Sequence, residues 1–284
     1  MNKLPVGKTI GDAYGFTFSH LGTIIGLIWF PMVVSTLLNF LPELAGNYSD
    51  ANANVVGSGA VENLAVLLLT LLLSAVMYVA VARQALGLRQ GPAVFHFALG
   101  QPEFRVYGAL LIIYFLIGIA ALVQVEAQSM GGPAALVASF TALPLVGFII
   151  YLAIRFGFLL VPAVVTENRL DFGHIWSLTK GNFWRIFAVV AAIAIPLWLI
   201  EVTSALALMG KELQAALPPT QTSDPQVIQQ HLSLIEDVFR RHMAGMMLIG
   251  LLLAPFSLGL SLAASASAYR ALTGTVNGTR TVIA

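Results

Sequence analysis

Six runs of about twenty apolar residues constrain this chain more than any motif in it: Leu21 to Leu41, Leu64 to Ala82, Val106 to Val123, Ala134 to Ile154, Ile186 to Met209 and Ala244 to Ala268. A helix rising about 1.5 Å per residue needs roughly 20 such residues to cross a hydrocarbon layer about 30 Å thick. Inside that layer the backbone has no water to bond, so each run satisfies its own amides as a helix. The expectation is an all-α, polytopic bundle of six transmembrane helices forming a single membrane domain over residues 1–284. With 58% hydrophobic and 10% charged residues, the chain has too little polar surface for soluble domains. The first run begins some twenty residues in and is long enough to span, so it reads as a retained helix and not as a cleaved signal peptide. Cysteine is absent, which excludes disulfides, thiolate nucleophiles and Cys-based metal sites.

A net charge of +1 hides an asymmetry. Lys3, Lys8, Arg83, Arg89, Arg105, Arg155, Arg169, Lys180, Arg185, Arg270 and Arg280 fall in or beside the N-terminus, the even-to-odd connections and the C-terminus. Only Lys211, Arg240 and Arg241 lie elsewhere. Because cations flanking spans are retained on the cytoplasmic side, the pattern predicts a multi-pass protein of a bacterial-type cytoplasmic (inner) membrane with both termini cytoplasmic. Glu43, Asp50, Glu62 and Glu126 occupy outer loops free of Lys and Arg, a weaker signal in the same direction.

Between the spans, residues 10–18 alternate small, polar and aromatic side chains, as a short helix in the headgroup region would; a frayed tail is the alternative. The outer loop from Pro42 to Glu62 is turn-rich, and its Asn47-Tyr48-Ser49 sequon is short enough to be chance. Asp224 before Pro225 reads as an N-cap and first helical position, and Ile228, Leu232, Ile235 and Phe239 then recur at helical spacing. An amphipathic helix over about 225–242 follows, expected to rest on the outer surface or cover the bundle in preference to extending span six. A faint threefold hairpin repeat pairs Tyr14 to Ile24 with Trp176 to Ile186, and places Arg83, Arg155 and Arg270 at equivalent inner ends of the even spans.

Few residues invite chemistry. Arg155 is followed by ten largely apolar residues: either the helix continues and carries a guanidinium into the hydrocarbon, or the span ends and Arg155 snorkels to the interface, which is the preferred reading. Glu201 interrupts span five and is a candidate for a proton or substrate path. At roughly 24 Å of helix beyond Arg185, it reads better as interfacial. Pro31, Pro144, Pro196 and Pro255 invite kinks. Gly22 with Gly26, and the Ser/Ala run from Ser261 to Ala268, allow close helix approach, within the chain or in a homo-oligomer. The five histidines form no ligand pair, and there is no Walker loop and no GxSxG. No metal, cofactor or nucleic-acid site is expected.

One segment is distinctive. Ile154-Arg155-Phe156-Gly157 leads through Pro162 to Glu167, and Trp176-Ser177-Leu178-Thr179-Lys180-Gly181-Asn182-Phe183-Trp184-Arg185 follows. It resembles the membrane domain of glycerophosphoryl diester phosphodiesterases and related stand-alone six-span proteins, with Arg155, Pro162, Glu167, Trp176, Ser177, Leu178, Lys180, Gly181, Trp184 and Arg185 carrying the likeness. The resemblance implies a membrane module whose relatives hydrolyse substrate in a separate soluble barrel. The short polar segments here leave no room for one, so phosphodiesterase activity is not expected. As local structure the segment reads as an interfacial elbow. Asp171 caps a short helix whose Phe172, Ile175 and Trp176 face lipid, Gly181 ends it, and Asn182 caps span five. The elbow is either architectural or a surface for anionic phospholipid or a partner membrane protein. The functional expectation is a non-catalytic module that organises lipid or a partner. A solute or lipid transporter using the kinked helices with Arg155 or Glu201 is the alternative, and an intramembrane hydrolase a remote one.

Overall fold

The structure, a computed structural model, describes residues 3–44, 58–89, 97–129, 140, 144, 146–217, 225–276 and 279–280. The sequon at 47–49, the cap at Asp224 and most of the first half of the expected fourth span lie outside the described residues. The helices are α1 (Val6–Ser19), α2 (Leu21–Leu44), α3 (Ser58–Ala85), α4 (Gln101–Ser129), α5 (Val146–Glu167), α6 (Phe172–Thr179), α7 (Phe183–Ala216) and α8 (Pro225–Thr273). A two-residue antiparallel ladder, β1 (Thr275–Val276) with β2 (Thr279–Arg280), follows. Six of the helices, α2 to α5, α7 and α8, are long and apolar enough to cross a membrane, so the chain is a polytopic helical membrane protein.

The core gathers around α8, which packs against α1, α2, α3, α5 and α7. Its Ala263, Ala264, Ser265, Ala266, Ser267 and Ala268 are all buried, so the small-residue run does bring helices close. Gly259 lies one turn before it. A Cβ there would sit 2.8 Å from Thr17 Cγ2 and 2.9 Å from Ile24 Cδ1. By contrast, a Cβ at Gly22 meets nothing within 4 Å, so that glycine is not a packing seam within the chain. Large apolar side chains such as Phe115, Leu122, Leu248 and Leu252 are exposed, as a lipid-facing perimeter requires.

Four expectations are corrected. Helix α5 does not stop at Arg155: a π turn over Ala153–Gly157 carries it into Phe158–Glu167, so the fourth span reaches Glu167 and not Ile154. The helix from Pro225 is not a separate amphipathic element but runs without a break into span six, giving 49 residues. At about 74 Å it far exceeds a hydrocarbon layer. Helix α7, with 34 residues, rises alongside it. The two form a hairpin whose far end is joined by Met209, Ala216 and Val238, by Arg241 to Glu212 (3.1 Å), and by His231 Nδ1 2.8 Å from the Ala216 carbonyl. Third, residues 10–18 are helical as expected, within α1, but that helix does not lie apart from the bundle. Its Thr9, Ala13 and Thr17 are buried, and it packs against both α7 and α8. Thr9 and Thr17 turn their hydroxyls back to the carbonyls of Pro5 and Ala13, which makes both residues effectively apolar toward α8. Fourth, Arg83 and Arg270 lie in the last turns of α3 and α8, but Arg155 lies inside α5, so the three arginines are not equivalent. One element of the repeat does coincide. At the offset pairing Tyr14 with Trp176, the first residue of α2, Leu21, matches the first of α7, Phe183.

Candidate functional site at the basal end

Leu4, Glu167, the α6 segment and the end of α8 meet at one end of the bundle, termed basal; the tip of the α7–α8 hairpin is distal. At the basal end α5 turns into α6. Asn168 adopts a left-handed conformation (φ 47°) and returns its N–H to the Val164 carbonyl, ending α5. Asp171 then caps α6, its Oδ1 accepting from the His174 N–H at 2.9 Å, as expected. That N–H first, with the Arg169 charge behind it, holds the Asp171 carboxyl below its ordinary range. The Glu167 carboxylate in turn raises the Arg169 guanidinium above its usual value. Gly181, at φ +76°, makes the turn into α7 that a residue with a Cβ adopts only under strain.

Arg155 is buried, only 7% exposed. The π turn aims it at α6, where Nε donates to Thr179 Oγ1 at 3.0 Å and Nη2 reaches the Trp176 carbonyl at 3.5 Å. Nη1 donates to Tyr151 Oη, and the guanidinium carbon lies 3.4 Å from the centre of the Trp176 ring. The snorkelling expected for Arg155 is therefore not what occurs. Its stem stays inside the helix bundle because hydroxyls, a carbonyl and two aromatic faces take over the hydration of its head. Among the described residues no carboxylate comes within ion-pair distance of it. Pro162, one turn past the π segment, is buried and has no N–H to offer the carbonyl of Phe158.

A second cluster surrounds Glu167. Tyr269 Oη donates to it at 2.8 Å, Arg169 Nε at 2.9 Å, and His174 Nε2 lies 3.0 Å away, which ties α5, α6 and α8 together. A third fixes the chain start. Asn182 Oδ1 accepts from the Leu4 N–H at 3.0 Å, and Arg185 Nη1 donates to the Leu4 carbonyl at 2.9 Å. Asn182 thus precedes α7 as expected, but its side chain serves Leu4 and not the helix end. Ile175, expected to face lipid, is buried, while Phe172 and Trp176 are exposed. Ser177 is exposed and bonds its own helix at the His174 carbonyl, and Leu178 packs on the core. Lys180, Trp184 and Arg185 are exposed. Glu201 belongs to none of these clusters; it lies farther along α7, at the edge of a cleft.

The sequence reading overlooked Tyr151, Thr179, His174 and Tyr269, whose roles arise only when α6 and α8 fold against α5. It also overlooked Glu103, 1% exposed, which accepts from the Gly100 N–H at 3.0 Å and lies 3.2 Å from Arg83. Gln101-Pro102-Glu103, with proline and an acid in a first turn, was the available signal. Among the described residues no three His, Asp or Glu side chains converge as a metal site would need. No protein-family model, curated protein or solved structure matches the chain.

Proposed function

We propose that the chain is a non-catalytic membrane module of a cytoplasmic membrane, its basal end and both termini facing the cytosol, and that its α5–α6–α7 elbow holds anionic phospholipid. The observation that carries this reading is a surplus of positive charge at an aromatic surface. Glu167 and Glu103 are engaged by Arg169 and Arg83, whereas Lys180 and Arg185 are exposed with no carboxylate within ion-pair distance among the described residues. Exposed Trp184, Phe187 and Trp176 flank them, which is the composition of an interfacial anchor. The cationic flanks of the other spans favour the same orientation. The likeness of residues 154–185 to the glycerophosphoryl diester phosphodiesterase membrane domain is in keeping with a role at phosphate-bearing lipid. Arg185 is already half engaged by Leu4, so Lys180 is the freer contact.

Each cation near an anionic surface is worth about 1 kcal/mol, so removing two weakens retention on the order of tenfold or more. The test is the double variant K180Q/R185Q in nanodiscs, with retained phosphatidylglycerol counted against phosphatidylcholine by native mass spectrometry. Loss of the phosphatidylglycerol preference supports the reading. An unchanged preference rejects it and returns the elbow to a purely architectural or partner-binding role.

A further inference from the structure

A cleft of about 510 Å³ opens between α5, α7 and α8. Its wall is apolar, built from side chains such as Ile154, Phe158 and Leu197, with three exceptions: Glu201 on α7, and Ser257 and Ser261 one turn apart on α8. Trp198, one turn before Glu201 and 59% exposed, lines the same opening.

The polar exceptions share one property. Thr9, Thr17, Thr36, Ser74, Thr166, Thr179, Thr203 and Thr273 all turn their hydroxyls to a carbonyl one turn back, the ordinary resolution for a hydroxyl in a membrane helix. Among the described residues Ser257 and Ser261 form no such bond, and Glu201 has neither a donor nor a cation beside it; all three are exposed to the cleft. Glu201 lies about 24 Å of helix beyond Arg185, near the distal headgroups of a layer about 30 Å thick, and two turns farther along α7 Leu208 packs on Gly245 of α8. Ser257 lies deeper, below Glu201. A carboxylate and an indole face at headgroup depth, two hydroxyls beneath, and an apolar trough below them match an amphiphile whose head is a cation.

We propose that this cleft is a binding site for one amine-headed zwitterionic phospholipid of the distal leaflet, phosphatidylethanolamine. Its ammonium is held by Glu201 and Trp198, its ester carbonyls accept from the serine hydroxyls, and an acyl chain fills the trough. The ammonium both donates hydrogen bonds to the carboxylate and lies against the indole face. An anionic headgroup is repelled by the same carboxylate, so the selectivity is opposite to that proposed for the basal elbow and the two readings are independent.

Trp198 is a built-in probe, because only three other tryptophans, Trp29, Trp176 and Trp184, need replacing by Phe to isolate it. In nanodiscs of unlabelled lipid doped with acyl-brominated phosphatidylethanolamine or phosphatidylglycerol, the ethanolamine lipid is expected to quench Trp198 with about fivefold higher apparent affinity. E201Q is expected to abolish that difference. Equal quenching by the two lipids, or a difference unchanged in E201Q, overturns the proposal. Quenching relieved by millimolar free ethanolamine assigns the cleft to a small amine and overturns it as well. Should the tryptophan-reduced chain not fold, native mass spectrometry of the unsubstituted chain against E201Q makes the same comparison: loss of an ethanolamine-lipid adduct supports the site, and equal adducts overturn it.

Discussion

The two ends of the bundle are built on different principles. None of the buried polar side chains of the described residues, Thr9, Thr17, Glu103, Arg155, Thr179, Asn182, Ser265 and Ser267, lies on the distal projection. Some of them pair across the fold, as when Ser267 donates to Asp12 at 2.8 Å or Arg155 to Thr179 at 3.0 Å, while Thr9, Thr17 and Ser265 bond carbonyls within one turn. At the distal end α7 and α8 continue as a two-helix projection with a small apolar contact and exposed pairs, such as Arg240 with Glu236 and Asp237. A buried polar group without its partner costs far more than an exposed one, so the basal end is locked into one geometry while the distal hairpin tolerates change. That locking is what a surface needs if it is to present Lys180, Trp184 and Arg185 in fixed register.

The contrast is sharpened by breaking each end in turn. Glu103→Ala leaves Arg83 facing a buried vacancy and should lose about 3 kcal/mol, the lower part of the range for a broken buried pair, because Arg83 retains access to water. Unfolding in mixed micelles reads this directly. Gly259→Val forces a side chain against Thr17 and Ile24 and should lose about 2 kcal/mol, with faster proteolysis ahead of α2 as α1 loosens. Asp171→Ala removes a cap and should speed amide exchange at His174 while the spans stay intact. The same cap gives a pH signature. Because the folded Asp171 carboxyl lies below its unfolded value near 3.9, its contribution is complete above about pH 4. It disappears as pH falls through the lower folded value, so exchange at His174 should rise only in acid, and not at all in Asp171→Ala. Glu212→Ala, which frees Arg241 at the distal hairpin, should change stability by less than about 0.5 kcal/mol. A distal loss as large as the basal ones would erase the distinction.

Hydropathy made the number of spans legible, because lipid imposes a length and a composition that any crossing helix must meet. It misplaced the fourth span because Arg155 looks like a terminator when its partners are unknown. Thr179 and Trp176 are more than twenty residues away, and only the α5–α6 turn brings them to the guanidinium. The cap at Asp171 and the turn at Gly181 were readable since both act within a few residues. Helix α1 was misread for the opposite reason. Thr9, Ala13 and Thr17 look weakly polar until they meet the small face of α8, whose own Ser/Ala run was recognised without its partner. The distal helix was recognised at Pro225, but nothing near residue 243 in the sequence distinguishes a bend from a continuous helix.

In the proposed orientation the two ends lie across the membrane from each other, with the elbow in the cytosol. The chain contains no cysteine, so single substitutions Lys180→Cys at the elbow and Ser233→Cys on the distal projection can be probed with a membrane-impermeant thiol reagent. In intact cells, with the outer envelope made permeable where one is present, S233C should label at once and K180C only after the cytoplasmic membrane is opened. Labelling of K180C in sealed cells, with S233C protected, would contradict the account.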